Sequence, residues 1–159
     1  MENESVYLAL GTNLGEREQN LQVAIDALQA EMRLVKKSAI YVTPPWGFED
    51  QSEFLNQVIE VRTNLEPLPL LAFLKDLETT MGRVKTFRNG PRLIDLDILF
   101  YGERLVAEPQ LQIPHPRLQD RAFVLVPLCE IAPDLVHPRL NRSVCALLSQ
   151  VDVTGVVKL

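Results

Sequence analysis

The chain has 159 residues, 47% of them hydrophobic and 23% charged, with a net charge of −5. This composition is typical of one globular domain with a buried core, so we treat residues 1–159 as a single domain. The acidic pI near 5.1 disfavours general nucleic-acid binding, and the apolar runs are too short to cross a membrane. The N-terminus has no apolar signal core, so we expect a cytoplasmic protein, and we favour a monomer.

The first half of the chain predicts strands and helices in alternation. Apolar residues recur at helical spacing over residues 16–32 and 67–81, whereas residues 6–10, 35–43 and 54–62 have the composition or alternation of strands. The glycine-containing turn at 11–15 has the composition of a phosphate cradle, but a plain strand-to-helix connection is the simpler interpretation.

The loop at 43–48 contains two consecutive prolines and the one tryptophan, Trp46. Proline excludes this segment from a sheet ladder or a helix interior. An aromatic residue on a stiff loop suits the wall of a site for a flat ligand, although a local packing role is equally simple. Asn56 lies near Phe54 on the next strand and has the chemistry to bond a heterocycle edge, or it is an ordinary strand-end residue.

The stretch from Leu93 to Tyr101 predicts a strand with two unlike faces. Asp95 and Asp97 share one face, and two carboxylates about 6.5 Å apart repel by roughly 2.5 kcal/mol at an effective dielectric near 20. A half-buried pair therefore needs a cation, and Mg²⁺ with phosphate oxygens fits this spacing. The alternative is a pair of exposed edge residues that discourage strand pairing. The other face is entirely apolar and is formed by Ile94, Leu96, Ile98 and Phe100.

A basic loop precedes this strand. Arg83, Lys85, Arg88 and Arg92 follow one another without an acidic residue between them. Cationic groups leading into a carboxylate strand suit a metal-bound polyphosphate, whereas the alternative is a solvated loop. Glycines near both ends of the loop suggest a lid.

The second half of the chain is less regular. His115 stands between two prolines, from which its imidazole has access to a phosphate, and residues 121–131 predict a short helix. Cys129 and Cys145 are far apart, and we expect two reduced thiols in apolar surroundings. The order strand, helix, strand, strand, helix, strand predicts an α+β, ferredoxin-like antiparallel sheet. Both helices would cover one face, and the C-terminal extension would wall a cleft on the other.

These motifs together resemble the hydroxymethyldihydropterin pyrophosphokinase family over nearly the whole chain. The block Gly90-Pro91-Arg92 followed by Asp95-Leu96-Asp97 is the most specific, and Gly82-Arg83, Thr43-Pro44-Pro45 and Phe54-Leu55-Asn56 add to it. The resemblance implies transfer of a diphosphoryl group from ATP to a dihydropterin alcohol in folate biosynthesis, with release of AMP.

The resemblance also implies a role for each matching residue. Asp95 and Asp97 would bind two Mg²⁺ ions, and Arg83 and Arg92 would be catalytic. The nucleotide would contact Glu78, Lys85, Ile98, His115 and Arg121. The pterin would contact Thr43, Pro44, Trp46, Phe54, Asn56 and Phe123.

Three positions depart from the family pattern. Asn89 stands where some members have an aromatic residue, Lys85 stands where arginine occurs, and Gln110 replaces a basic residue. Lysine cannot form the bidentate fork of arginine. Two rival functions are a palm-like metal-dependent nucleotidyl transferase and a non-catalytic ferredoxin-like ligand-binding module.

Overall fold

The computed structural model describes residues 4–44, 52–82 and 93–159. Within these ranges, no helix is both long enough and apolar enough to span a membrane. The elements in chain order are β1 (Ser5–Thr12), α1 (Arg17–Leu28), β2 (Met32–Lys37), β3 (Tyr41–Thr43), β4 (Phe54–Thr63), α2 (Pro67–Thr80), β5 (Asp95–Tyr101), β6 (Val106–Glu108), β7 (Leu111–Ile113), a 3-10 turn (Leu118–Asp120), α3 (Ala122–Ile131), α4 (Val144–Leu148) and β8 (Val157–Lys158).

The main sheet is antiparallel and has the strand order β5-β1-β4-β3-β8, with β2 also paired to β4. This arrangement confirms the α+β, ferredoxin-like prediction. The single strand predicted over 35–43 is instead two strands, because the chain turns at Ser38. There the Ser38 hydroxyl accepts a hydrogen bond from the Val58 N–H (3.0 Å), and the Gln57 amide donates to the Ser38 carbonyl (2.8 Å).

Helices α1 and α2 cover one face of the sheet, as predicted. Leu21 and Ile25 of α1 and Leu70 and Leu74 of α2 are buried there against Leu8 of β1. The first helix is shorter than the periodicity predicted, because it ends at Leu28 and residue 32 already begins β2.

The opposite face, where the C-terminal extension was predicted to wall a cleft, also carries helices. Helices α3 and α4 form a second core with the sheet, in which Leu125, Leu128 and Val144 are fully buried. The predicted helix at 121–131 is confirmed as α3, and it supplies most of this second layer. The sheet therefore lies between two pairs of helices, and the cleft occupies the part of this face that the second pair leaves open.

A β-bulge changes the faces of β5. The register with β1 shifts between Tyr7 and Leu8, so that Leu8 lies opposite Ile98 and Tyr7 lies opposite Phe100. The extra residue, Leu99, reverses the alternation beyond it. Phe100 is therefore in the second core, whereas the strict alternation placed it with Ile98.

The two cysteines are also arranged differently from the prediction. Cys129 of α3 and Cys145 of α4 form a disulfide, with their Cα atoms 5.2 Å apart. Their separation in the sequence concealed this pairing, which depends on α4 packing against α3 in the second core.

His137 is a buried residue for which the sequence suggested no partner. Its ring is 4% exposed and packs edge-on against Phe100, with the two centroids 5.6 Å apart. Its Nδ1 atom accepts hydrogen bonds from the N–H groups of Arg139 and Leu140, both at 3.1 Å. Burial, assisted by the Arg139 charge, lowers the pKa of His137 below 6.5.

Candidate active site

A cavity of about 430 Å³ opens at the end of the sheet where β1, β4 and β5 meet. Its floor is formed by Ala9 and Gly11 of β1, which lie opposite Asp97 and Asp95 of β5. These two small residues leave the space above the carboxylates open. At Gly11 an added Cβ would lie 3.4 Å from the Asn56 amide oxygen, so a larger residue would fill the middle of the cavity.

Asp95 and Asp97 both line this cavity, and both are partly buried. The predicted common face is therefore confirmed, and the carboxylates point into a cleft rather than along an open edge. Leu96 between them points the other way, into the core beneath α1 and α2.

Glu78 holds the main chain of β5 at the residue between the two carboxylates. Its side chain is 2% exposed on α2, and its Oε2 accepts a hydrogen bond from the Leu96 N–H (2.8 Å). Its Oε1 lies 3.4 Å from the Lys75 ammonium. Glu78 does not line the cavity, and it lies at the outer edge of β5 instead.

Ile98 also lies outside the cavity, because its side chain is buried in the core between the sheet and helices α1 and α2. The Leu96 N–H points away from β1, and hydrogen-bonding direction alternates along an antiparallel strand. The main chain of Ile98 therefore faces the same outer edge. Just beyond it, the Leu99 carbonyl accepts a hydrogen bond from the His115 N–H (3.0 Å), so Glu78 and His115 bracket this stretch.

Arg121 supplies positive charge beside Asp97, and the His115 ring lies near the same carboxylate. Arg121 lines the cavity directly before α3. Burial lowers the pKa of Arg121, and Asp97 and Asp95 oppose that shift. Burial also lowers the pKa of His115, opposed by Asp97 and reinforced by Arg121 and Arg117. The Nδ1 atom of His115 accepts a hydrogen bond from the Arg117 N–H (3.1 Å), which leaves Nε2 as the protonated nitrogen of the neutral ring.

The opposite end of the cavity combines aromatic rings with one amide. Asn56 is 7% exposed, and its Nδ2 donates to the Thr43 hydroxyl at 2.8 Å. Phe123, at the start of α3, lies 5.6 Å from the Arg121 guanidinium. The structure thus brings most of the predicted pterin-contacting residues into one cavity: Thr43, Pro44, Phe54, Asn56 and Phe123.

Several predicted residues lie outside the part of the chain that the structure describes. They are Trp46, Arg83, Lys85 and Arg92, together with the departure at Asn89.

The structure also adds cavity residues that the sequence did not suggest. Asp120 precedes Arg121, and Asp152, Thr154 and Val156 come from the end of the chain. No motif marks them, because their position depends on the way the C-terminal segment returns to β3.

Asn20 of α1 is a further residue near the site that sequence reasoning missed. Its Nδ2 atom lies within hydrogen-bonding distance of three oxygens, those of the Thr12 hydroxyl (3.2 Å) and the Leu14 (2.8 Å) and Leu93 (3.3 Å) carbonyls. It thus connects the turn after β1 to the residue that leads into the carboxylate strand.

The donor set suits a hard divalent cation. Magnesium is usually held by one or two carboxylates, with substrate phosphates and water completing its octahedron. Asp95 and Asp97 supply two such carboxylates on one partly buried face. Within the described ranges no group of three or more His, Cys, Asp or Glu side chains could hold a metal ion, and phosphate and water oxygens suit the remaining positions. The fold and the cavity together are typical of an enzyme that binds a metal-bound polyphosphate next to a flat polar ring.

Comparison with known proteins identifies the family. Residues 7–133 match the model of 7,8-dihydro-6-hydroxymethylpterin-pyrophosphokinase (HPPK). The chain is 45% identical over 158 residues to the 2-amino-4-hydroxy-6-hydroxymethyldihydropteridine pyrophosphokinase of Pseudomonas aeruginosa, covering 98% of this chain and 97% of that protein. The chain belongs to the 7,8-dihydro-6-hydroxymethylpterin-pyrophosphokinase family.

Other relatives are much longer than this chain. It is 43% identical over 139 residues to the folic acid synthesis protein FOL1 of Dictyostelium discoideum, a match that covers 87% of this chain but 21% of that protein. The crystal structure of wild-type Plasmodium falciparum HPPK-DHPS superimposes with a TM-score of 0.78 at 18% identity, covering 94% of this chain and 45% of that one. At that identity the structural likeness shows the fold alone.

Proposed function

We propose that this protein transfers the diphosphoryl group of ATP to the hydroxymethyl group of 6-hydroxymethyl-7,8-dihydropterin, with release of AMP, in folate biosynthesis. The observation that carries the proposal is a single cavity that is lined by Asp95 and Asp97 on β5, by the hydrogen-bonded Asn56–Thr43 pair on β4 and β3, and by Phe123. Membership of the pyrophosphokinase family supports the same reaction.

Asp95 and Asp97 would hold Mg²⁺, and we propose two ions. Bound magnesium would neutralise the triphosphate and orient its oxygens. The protein contributes the position of the two carboxylates: Leu96 anchors the strand in the core, and Glu78 holds its N–H.

ATP would lie along the outer edge of β5 and across Asp97. The main chain of Ile98 faces this edge between Glu78 and His115, and a free strand edge can hydrogen-bond the rim of a purine. The neutral His115 ring would donate from Nε2, and Arg121 would pair with a phosphate oxygen. We assign Lys85 to the same phosphates on the family pattern.

The pterin would occupy the opposite end of the cavity. Asn56 still offers its carbonyl oxygen and a second amide hydrogen after donating to Thr43, so it can both accept from and donate to a heterocycle edge. Phe123 and Phe54 would pack against the ring, and Thr43 and Pro44 would border it. Trp46 joins this group on the family pattern.

The reaction would proceed by direct transfer between the two bound substrates. The hydroxymethyl oxygen attacks the β-phosphorus, the bond from that phosphorus to the α,β-bridging oxygen breaks, and AMP leaves with that oxygen while the hydroxyl proton passes to solvent. Positioning and charge stabilisation supply most of the acceleration in such transfers. We assign the charge stabilisation to Arg83 and Arg92, again on the family pattern.

The reaction products test this proposal against its rivals. Incubation of the protein with Mg-ATP and the pterin alcohol should yield AMP and the pterin diphosphate in equal amounts, measured by ion-exchange chromatography. ADP would contradict diphosphoryl transfer, and release of free pyrophosphate would favour a nucleotidyl transferase. Absence of turnover together with metal-independent nucleotide binding would favour a non-catalytic binding module.

We further propose a monomeric, cytoplasmic protein that binds neither nucleic acid nor membrane. The net charge of −5 supports the absence of nucleic-acid binding, and use of ATP supports an intracellular site. The disulfide is unusual for that compartment, so a thiol count on protein purified under alkylating conditions tests the assignment. Light scattering after gel filtration tests the monomer.

A further inference from the structure

The end of the chain forms one side of the substrate cavity. Asp152, Thr154 and Val156 line it, although the family match ends at residue 133. We call residues 152–156 the 152–156 wall. The residues that match the family model therefore do not include this part of the cavity.

The 152–156 wall is held in place by main-chain pairing with β3. Val157 of β8 pairs with Val42, and the Leu159 N–H donates to the Ile40 carbonyl at 2.9 Å. Within the wall, the Asp152 carboxylate accepts a hydrogen bond from the Thr154 N–H at 2.9 Å. The wall is thus a defined turn attached to the strand that carries Thr43.

The wall borders the aromatic end of the cavity rather than the edge of β5. At Gly155 an added Cβ would lie 3.4 Å from Pro44 Cδ and 3.5 Å from its Cγ. Pro44 directly follows Thr43, the partner of Asn56. His115 and Glu78, by contrast, lie at the outer edge of β5, on the other side of the carboxylates.

We propose that the 152–156 wall determines which pterins the protein accepts, with Val156 as the residue that limits the size of the ring substituents. This inference rests on the proposed function, because it assigns the aromatic end of the cavity to the pterin. Val156 is partly buried and is the apolar member of the wall that lines the cavity. Its side chain is therefore the apolar group of the wall that a substituent on the pterin ring would meet.

Substitutions at two wall positions test the proposal. Val156→Phe should narrow the cavity and raise the KM for the pterin alcohol at least roughly fivefold, because the larger side chain would clash with the bound ring. The KM for ATP should stay within about twofold. Gly155→Ala should act in the same direction, because φ is +89° there, which strains a residue with a Cβ, and the added Cβ would contact Pro44. Val156→Ala should improve relative use of a pterin alcohol carrying one extra ring methyl group.

Gly102→Ala is the matched control. Gly102 also has a positive φ (+55°), but an added Cβ there meets the flexible Glu4 side chain, at the far end of β5 from the carboxylates. The Gly102→Ala variant should have a lower free energy of unfolding, with unchanged KM values for ATP and the pterin alcohol.

Calorimetry separates a failure of this inference from a failure of the proposed function. Binding of the pterin alcohol, with a non-hydrolysable ATP analogue present, should weaken in Val156→Phe whether or not the wild type releases AMP. Equal changes in pterin and nucleotide affinity, or no change in either, would overturn the assignment of the wall. Absence of AMP from the wild type with the selective pterin effect retained would refute the reaction but keep the wall as a pterin-binding element.

Discussion

Replacement of Glu78 by alanine should weaken both the fold and the metal site. Glu78 is a 2% exposed carboxylate that accepts from the Leu96 N–H at 2.8 Å. A hydrogen bond to a charged group contributes about 1.5–3 kcal/mol, and its loss leaves a buried N–H without that acceptor. With the space left by the side chain, we expect Glu78→Ala to lower the free energy of unfolding by about 3 kcal/mol. That is a large part of the roughly 5–15 kcal/mol typical of a domain.

The same variant should loosen the strand between Asp95 and Asp97. We expect the Mg²⁺ concentration for half-maximal turnover to rise about tenfold, the lower end of the effect of losing a residue that supports a metal ligand. Glu78→Gln keeps an oxygen that can accept from Leu96 and should recover most of the stability. Lys75→Ala removes a second partner of Glu78, but the Lys75 side chain is 55% exposed, so less than about 1 kcal/mol of stability should be lost.

Urea unfolding measures the stability, and magnesium titration of the reaction measures the metal dependence. If Glu78→Ala and Lys75→Ala were equally stable, the buried hydrogen bond would not be the source of the stabilisation. If Glu78→Ala were unstable but had an unchanged magnesium requirement, Glu78 would support the fold without positioning the carboxylates.

Three further predictions concern other parts of the molecule. Burial holds the pKa of His137 in the folded state below 6.5, so the unfolded chain binds the proton more readily. The free energy of unfolding should therefore fall as the pH drops below about 6.5. His137→Asn should flatten this pH dependence in urea titrations. Asn20→Ala removes the contact with the Leu93 carbonyl and should lower turnover at limiting Mg²⁺ about tenfold, whereas Gln22→Ala on the same helix should not. Phe123→Ala should raise the KM for the pterin alcohol roughly tenfold, because stacking of a base on an aromatic ring contributes about 1–3 kcal/mol.

Each of these predictions has a contradicting result. An unchanged pH profile in His137→Asn would mean that other groups cause the acid sensitivity. Equal effects of Asn20→Ala and Gln22→Ala would reduce Asn20 to a general helix contact. A Phe123→Ala variant that lost ATP affinity but not pterin affinity would place the ring at the other end of the cavity.

Local patterns were sufficient to predict much of this fold. Apolar periodicity identified α1 and α2, residues 121–131 were predicted as the helix that became α3, and alternation identified β4 and the shared face of Asp95 and Asp97. These features depend on residues that are close together in the chain. For the strands, burial of one face also fixes the pairing register. Five of the six residues predicted to contact the pterin line one cavity, and the sixth, Trp46, lies outside the described ranges.

Features that depend on distant contacts were missed. One additional residue, Leu99, reverses the faces of β5, and nothing in the composition of that strand signals a bulge. The Cys129–Cys145 pair forms because α4 returns against α3, and the 152–156 wall forms because the chain end pairs with β3. Such placements are set by tertiary packing, which periodicity does not encode.

The central claim is that Asp95 and Asp97 bind magnesium against the triphosphate. A crystal structure with Mg²⁺, a non-hydrolysable ATP analogue and the pterin alcohol tests it most directly. We predict cation density at about 2.1 Å from oxygens of both carboxylates, shared with phosphate oxygens. Well-ordered nucleotide in the cavity with no cation at either aspartate would contradict it.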